Sequence, residues 1–211
     1  MYLSQKDGWI EVITGPMFAG KTEELIRRIR RLQFAKRNIV VFKPAIDNRY
    51  ADSEVVSHND SRTKSISISK ASQIIDNIDD DTDVVAIDEI QFLDVEAVEI
   101  CEYLADNGIR VIVSGLDRDF RGEPFSFMPK LLAIAEYVTK LSAICMKCHT
   151  PATRTQRIIE GKPANYTDPI ILVGATDSYE ARCRDCHQVP GKPISYDKLK
   201  NKWWILYGGS P

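Results

Sequence analysis

Gly15-Pro16-Met17-Phe18-Ala19-Gly20-Lys21-Thr22 fits the pattern G-x-x-x-x-G-K-[ST] at every fixed position. Just before it, Trp9-Ile10-Glu11-Val12-Ile13 reads as a strand. Just after it, residues 21–36 carry apolar side chains at helical spacing. Strand, glycine-rich turn and helix form the context in which this pattern holds phosphate. The glycines let successive backbone N–H groups turn toward one anion, and the helix N-terminus adds partial positive charge. Lys21 is expected to reach the β- and γ-phosphates of ATP, and the Thr22 hydroxyl to ligate Mg²⁺. All eight residues of the loop are candidate nucleotide-binding positions.

Outward from this loop the chain alternates strand and helix. Asn38-Ile39-Val40-Val41-Phe42, Asp83-Val84-Val85-Ala86-Ile87, Arg110-Val111-Ile112-Val113-Ser114 and Tyr137-Val138-Thr139-Lys140-Leu141 read as further strands. Helices are expected near residues 71–78 and 94–106, the second stopping at Asn107-Gly108. Short Val/Ile runs between helices imply an α/β fold, a parallel sheet covered on both faces. Residues 43–64 and 117–128 fit neither pattern and are expected to be loops, the first long and mobile. After Ser142 helical periodicity gives way to cysteines, prolines and short β-like runs. The expected division is a nucleotide-binding core (1–142), a small second domain (143–190) and a tail (191–211).

Val84-Val85-Ala86-Ile87-Asp88-Glu89 is an apolar strand ending in two acids, which next to a phosphate loop reads as a Walker B element on the neighbouring strand. Asp88 is the expected Mg²⁺-side carboxylate. Glu89 is then free to act as a base on the oxygen that attacks the γ-phosphate.

The net charge of −2 argues against a dedicated nucleic-acid binder, although residues from Ala143 onward carry ten Lys or Arg against six Asp or Glu. With no membrane-length apolar run and no secretory leader pattern, a cytoplasmic protein is expected. Four of the five cysteines form two pairs, Cys145-Met146-Lys147-Cys148 and Cys183-Arg184-Asp185-Cys186. In that compartment such pairs point to tetrahedral, structural zinc, with a redox pair or an iron–sulfur cluster as alternatives. His149 and His187 adjoin the pairs and read as surface residues, and Cys101 as an inert core thiol. Two other functions fit the motifs: an ATPase acting on nucleic acid, and a nucleotide-binding module without catalysis. The acidic net charge weighs against the first, and the intact Lys21, Thr22, Asp88 and Glu89 against the second.

The Gly-Pro-Met-Phe-Ala-Gly-Lys-Thr loop, Asp88-Glu89-Ile90-Gln91-Phe92 and the two Cys-x-x-Cys pairs together resemble the thymidine kinase family of the bacterial and cytosolic type (type II). The likeness runs from about Gly8 to His187. It takes in Lys43-Pro44 with Asp47-Asn48-Arg49-Tyr50, Gly115-Leu116-Asp117-Arg118-Asp119-Phe120, Pro124-Phe125, Lys140-Leu141-Ser142-Ala143 and Gly174-Ala175-Thr176-Asp177-Ser178-Tyr179. The resemblance implies a RecA-like core with a small zinc ribbon whose lasso loop covers the substrate. It also implies transfer of the ATP γ-phosphate to the 5′-hydroxyl of thymidine, with deoxyuridine as a second acceptor.

By the same resemblance Glu89 takes the 5′-hydroxyl proton, Phe120 packs on the thymine ring, and Gln91 falls among the nucleotide-binding residues. Ile170, Ile171, Leu172, Val173 and Gly174 would offer main-chain groups to the base, with Tyr179 in support. Read alone, Ile170-Ile171-Leu172-Val173 is a buried strand. Asp47 and Arg49 match a flexible segment near the phosphates. A homotetramer and feedback inhibition by thymidine triphosphate are also implied.

Overall fold

The structure, a computed structural model, describes residues 8–45, 54–56, 62–171 and 178–193. The first half of the chain forms β1 (Ile10–Thr14), α1 (Lys21–Phe34), β2 (Ile39–Pro44), β3 (Glu54–Val56), β4 (Arg62–Lys64), β5 (Ile66–Ile68) and α2 (Gln73–Asp76). There follow β6 (Val84–Ile87), α3 (Ala97–Asp106), β7 (Arg110–Gly115), α4 (Met128–Ile134) and β8 (Tyr137–Lys140). Six of these strands form one sheet in the order β5-β2-β6-β7-β1-β8. Every pairing within it is parallel.

Period-two alternation sends the strand side chains into two cores. Val12, Val85, Ile87, Val111 and Val113 face one side, with Ile100, Cys101 and Leu104 of α3 and Leu131 of α4. Ile13, Val84, Ala86 and Ile112 face the other, against Leu25, Ile26 and Ile29 of α1. Each fully buried Val, Ile or Leu adds roughly 1.5–3 kcal/mol, so the two faces together set the register of the central strands. The charge in the middle of β1 is neutralised across elements. Glu11 accepts from Arg28 of α1 at 2.6 Å and from Arg110 of β7 at 2.6 Å, which ties the helix to the sheet.

The expected α/β sheet is therefore the fold, with two adjustments. β7 lies between β1 and β6, so the acidic strand is one removed from the phosphate-loop strand rather than its neighbour. Residues 43–64 are also not loop throughout. Lys43 and Pro44 complete β2, and β3 pairs with β4 in antiparallel register. Asp47, Asn48, Arg49 and Tyr50 lie outside the described residues, as do Leu172, Val173, Gly174 and the tail beyond Pro193. β5 and α4 had no counterpart in the sequence reading, β5 because three residues show no period.

Past Ser142 the chain builds small antiparallel sheets. β9 (Ala143–Ile144) pairs with β10 (Pro151–Ala152), and β11 (Arg154–Ile159) pairs with both β12 (Lys162–Pro163) and β13 (Ser178–Arg182). Cys145 follows β9 and Cys183 follows β13. Two tight turns are thereby brought face to face. No helix among the described residues is long and apolar enough to cross a membrane.

Candidate active site and metal centre

The phosphate loop leaves the end of β1 in a conformation that only its glycines allow. Gly15 has φ +147°, and a Cβ there would stand 2.5 Å from the Leu141 carbonyl oxygen. Gly20 precedes α1 in the left-handed region, and the Glu24 N–H donates to its carbonyl at 3.0 Å. Lys21 is buried and donates from Nζ to the Pro16 carbonyl at 3.1 Å, which holds its ammonium inside the loop. The loop also leans on the C-terminal sheets. The Met17 N–H donates to Thr155 Oγ1 of β11 at 3.0 Å, and Ala19 packs against the Ala143, Cys145 and Cys183 cluster.

At the tip of β6 the two acids have different partners. Asp88 accepts from the Thr22 hydroxyl at 3.1 Å and from the Ser114 hydroxyl on β7. Burial pushes its carboxyl up to about 6, helped by the Glu89 charge and opposed by the Ser114 and Thr22 donors and Lys21. Glu89 sits at φ 50°, ψ 40°, a left-handed conformation that a non-glycine residue adopts at a cost of order 1–3 kcal/mol. Gln91 then holds the Glu89 carboxylate, donating from Nε2 to Oε2 at 2.5 Å while its Oε1 accepts the Leu116 N–H at 3.1 Å. Both ends of the Gln91 amide are thereby engaged within the acidic corner.

The loop after β7 is closed on itself by a bridge between Arg118 and Pro124. The Asp119 carboxylate accepts the N–H groups of Arg121 at 2.9 Å and Glu123 at 3.1 Å. This turn carries Phe120, whose buried ring lies 5.4 Å from the Arg157 guanidinium carbon. Ile170 and Ile171 are exposed, 40% and 45%, so they are not part of a buried strand. Tyr179 stands opposite Arg157 in the β11–β13 ladder.

His187, expected at the surface, is instead partly buried. Its Nε2 lies 2.8 Å from the Phe120 carbonyl, and burial lowers its pKa. His149 is exposed, and Cys101 is fully buried in the core, its thiol pushed up to about 12 by desolvation.

The Sγ atoms of Cys145, Cys148, Cys183 and Cys186 all lie within 4.8 Å of one another. Tetrahedral zinc with bonds near 2.3 Å needs sulfurs about 3.8 Å apart, so the cluster fits that ion. Among the thiols, Cys186 is pushed up to about 12 by side-chain hydrogen bonds with Cys183 and Cys148, with burial adding to the effect. With four cysteines filling a tetrahedron, such a site leaves no open position for catalysis.

The sequence model of the family described as Thymidine kinase matches residues 8–187. The chain belongs to the thymidine kinase family. It is accordingly a nucleoside kinase, an ATP-dependent transferase. Among solved structures it is similar to domain III of the replication initiation protein DnaA from Thermotoga maritima, at 16% identity and a TM-score of 0.37. That alignment covers 65% of this chain and 56% of the other, so the chain spans little more than half of that structure, and the likeness carries no argument.

Sequence reasoning had passed over four residues of this kinase that meet the phosphate, acidic and Phe120 elements: Ser114, Thr155, Arg157 and Lys192. Lys192 Nζ donates to the Arg121 carbonyl at 2.6 Å and pairs with Glu123. On β11, Thr155, Gln156 and Arg157 are all buried.

Proposed function

We propose that this kinase transfers the γ-phosphate of ATP to the 5′-hydroxyl of thymidine and, as a second acceptor, deoxyuridine. The observation that carries the reading is the corner at the tip of β6. There Asp88 accepts from the phosphate-loop Thr22, while Gln91 donates to the Glu89 carboxylate. One carboxylate serves the metal side and the other is left for the acceptor.

In this scheme the N–H groups of residues Gly15 to Thr22 bind the phosphate chain, and Lys21 leaves the Pro16 carbonyl to reach the β- and γ-oxygens. Mg²⁺, held by Thr22 and Asp88, supplies charge neutralisation at those phosphates when bound. Glu89 takes the proton of the 5′-hydroxyl as its oxygen attacks the γ-phosphorus, and ADP carries away the bridging oxygen. Phe120 packs on the pyrimidine, and the segment from Ile170 to Gly174 presents main-chain groups to its edge. Closure over the base excludes water, which would otherwise take the phosphoryl group.

The cysteine cluster is assigned structural zinc in a ribbon of residues 143–190, the core being 1–142. A cytoplasmic homotetramer inhibited by thymidine triphosphate completes the reading, on the resemblance of its motifs. The test is incubation of purified protein with Mg²⁺-ATP and a panel of nucleosides. Selective formation of thymidine and deoxyuridine monophosphates, lost in Glu89→Gln, is the expected result. ATP hydrolysis with no nucleoside product would overturn it.

A further inference from the structure

Alternation along β7 puts Val111 and Val113 on one face of the sheet and Ile112 and Ser114 on the other. Ile112 packs in the core with Leu25, Ile26 and Ile29 of α1. The next position on that face holds Ser114 instead of an aliphatic side chain, and it is 0% exposed. A hydroxyl buried there costs free energy unless it is bonded. Its partner is Asp88, whose Oδ1 accepts from the Ser114 Oγ.

The Asp88 backbone is pinned by its N–H, which donates to the Phe42 carbonyl at 3.0 Å, but its carboxylate needs holding of its own. Oδ1 accepts the Glu89 N–H at 3.1 Å besides the Ser114 hydroxyl, and Oδ2 accepts the Thr22 hydroxyl at 3.1 Å. Of these three donors, Thr22 belongs to the phosphate loop and Glu89 to the turn of the proposed base. Ser114 comes from the middle of the sheet, on a strand paired with β6 on one side and β1 on the other. At the same level the Thr14 hydroxyl donates to the Gly115 carbonyl at 2.9 Å, which ties the end of β1 to the end of β7. The insertion of β7 between the phosphate-loop strand and the acidic strand thus gives the carboxylate a rigid support, and strands hold such groups more closely than loops do.

We infer that Ser114 is a positioning residue for the divalent cation of the reaction, holding Oδ1 of Asp88 against β7 so that Oδ2 stays on Thr22. This rests on the metal role proposed above for Asp88 and Thr22. Ser114 needs no contact with metal or nucleotide to act in this way.

The test titrates Mn²⁺ into zinc-loaded, full-length protein saturated with ADP and reads free Mn²⁺ by electron paramagnetic resonance. Wild type, Ser114→Ala, Ser114→Thr and Asp88→Asn are compared, with ADP affinity in the absence of added divalent cation and melting temperature measured beside them. In Ser114→Ala the Mn²⁺ Kd is expected to rise on the order of tenfold, while metal-free ADP affinity stays within about twofold of wild type. Asp88→Asn is expected to weaken Mn²⁺ binding at least as much. Ser114→Thr, which keeps the hydroxyl, should lie closer to wild type than Ser114→Ala.

A folded Ser114→Ala that binds Mn²⁺ as wild type does, beside a weakened Asp88→Asn, overturns the inference and leaves the metal role of Asp88 standing. Unchanged Mn²⁺ binding in both variants overturns that role and the inference with it. An equal loss of Mn²⁺ and metal-free ADP affinity with a lowered melting temperature marks a part in folding alone, and overturns the inference too. So does a folded Ser114→Thr as weak as Ser114→Ala, because the hydroxyl is then not what matters.

Discussion

The Thr155 hydroxyl accepts the backbone N–H of Met17 at 3.0 Å, joining β11 to the phosphate loop across 138 positions of chain. A P-loop is usually held by its own strand and helix. Here a third support comes from the cysteine-bearing half of the protein, reinforced by the packing of Ala19 on the Ala143 and Cys183 cluster.

Thr155→Val keeps the shape of the side chain and removes the acceptor. An N–H deprived of its partner in a part-buried place costs about 1–3 kcal/mol. The KM for ATP is expected to rise on the order of tenfold, with the KM for the nucleoside little changed. Initial-rate kinetics with each substrate varied in turn measure both, and an unchanged ATP KM would show that the loop does not need this support.

Gln91→Leu leaves Glu89 without its amide donor and the Leu116 N–H without its acceptor. kcat is expected to fall on the order of tenfold, less than in Glu89→Gln, because the carboxylate remains but wanders. Steady-state rates at saturating ATP and nucleoside decide this. A Gln91 variant as inactive as Glu89→Gln would assign the amide a more direct part.

Burial holds Asp88 near 6, above the roughly 3.9 of an unfolded aspartate. Between those values the folded chain binds more protons than the unfolded one. The stability contributed by Asp88 is therefore full below about pH 4 and is lost as the pH rises through about 6. Asp88→Asn, which cannot ionise, should raise the melting temperature of magnesium-free, nucleotide-free protein by a few degrees at pH 8 and by less at pH 5. Thermal unfolding followed by circular dichroism at the two pH values tests the order. A larger gain at pH 5 would contradict it.

Thiol titration separates the five cysteines. With zinc bound, Cys145, Cys148, Cys183 and Cys186 are expected to react slowly, and a chelator to release all four. Cys101, fully buried and with its thiol pushed up to about 12, should react only after denaturation. A fifth thiol titrating in chelated but folded protein would show that the core opens when the ribbon loses its metal.

The parts of the site that were legible in the sequence are those whose partners are close in chain. Gly15, Gly20, Lys21 and Thr22 stand at fixed spacing within one turn, and Asp88 with Glu89 ends one apolar strand, so pattern alone picked them out as candidates. Ser114 was read simply as the end of a strand, because its role depends on Asp88, 26 residues away. His187 looked like a surface residue beside a cysteine, and its partner, the Phe120 carbonyl, is 67 residues away. The insertion of β7 between β1 and β6 was equally hidden, since strand order in a parallel sheet leaves no local mark on any one strand. The α/β class was legible for the opposite reason. Alternating Val and Ile in β1, β6 and β7 must be covered on both sides wherever those strands lie.

Thr155 and Arg157 are two positions apart on β11, so their side chains leave the same side of the strand roughly 6.6 Å from each other. One meets the loop proposed for the phosphate donor, and the other meets the segments proposed for the acceptor. The distance between donor and acceptor is then gauged by two peptide units of an ordinary extended backbone. Inserting or deleting one residue between them would turn one of the pair to the opposite face. The spacing of these two residues should therefore tolerate less change in length than any surface loop of the enzyme, even where the side chains around it vary.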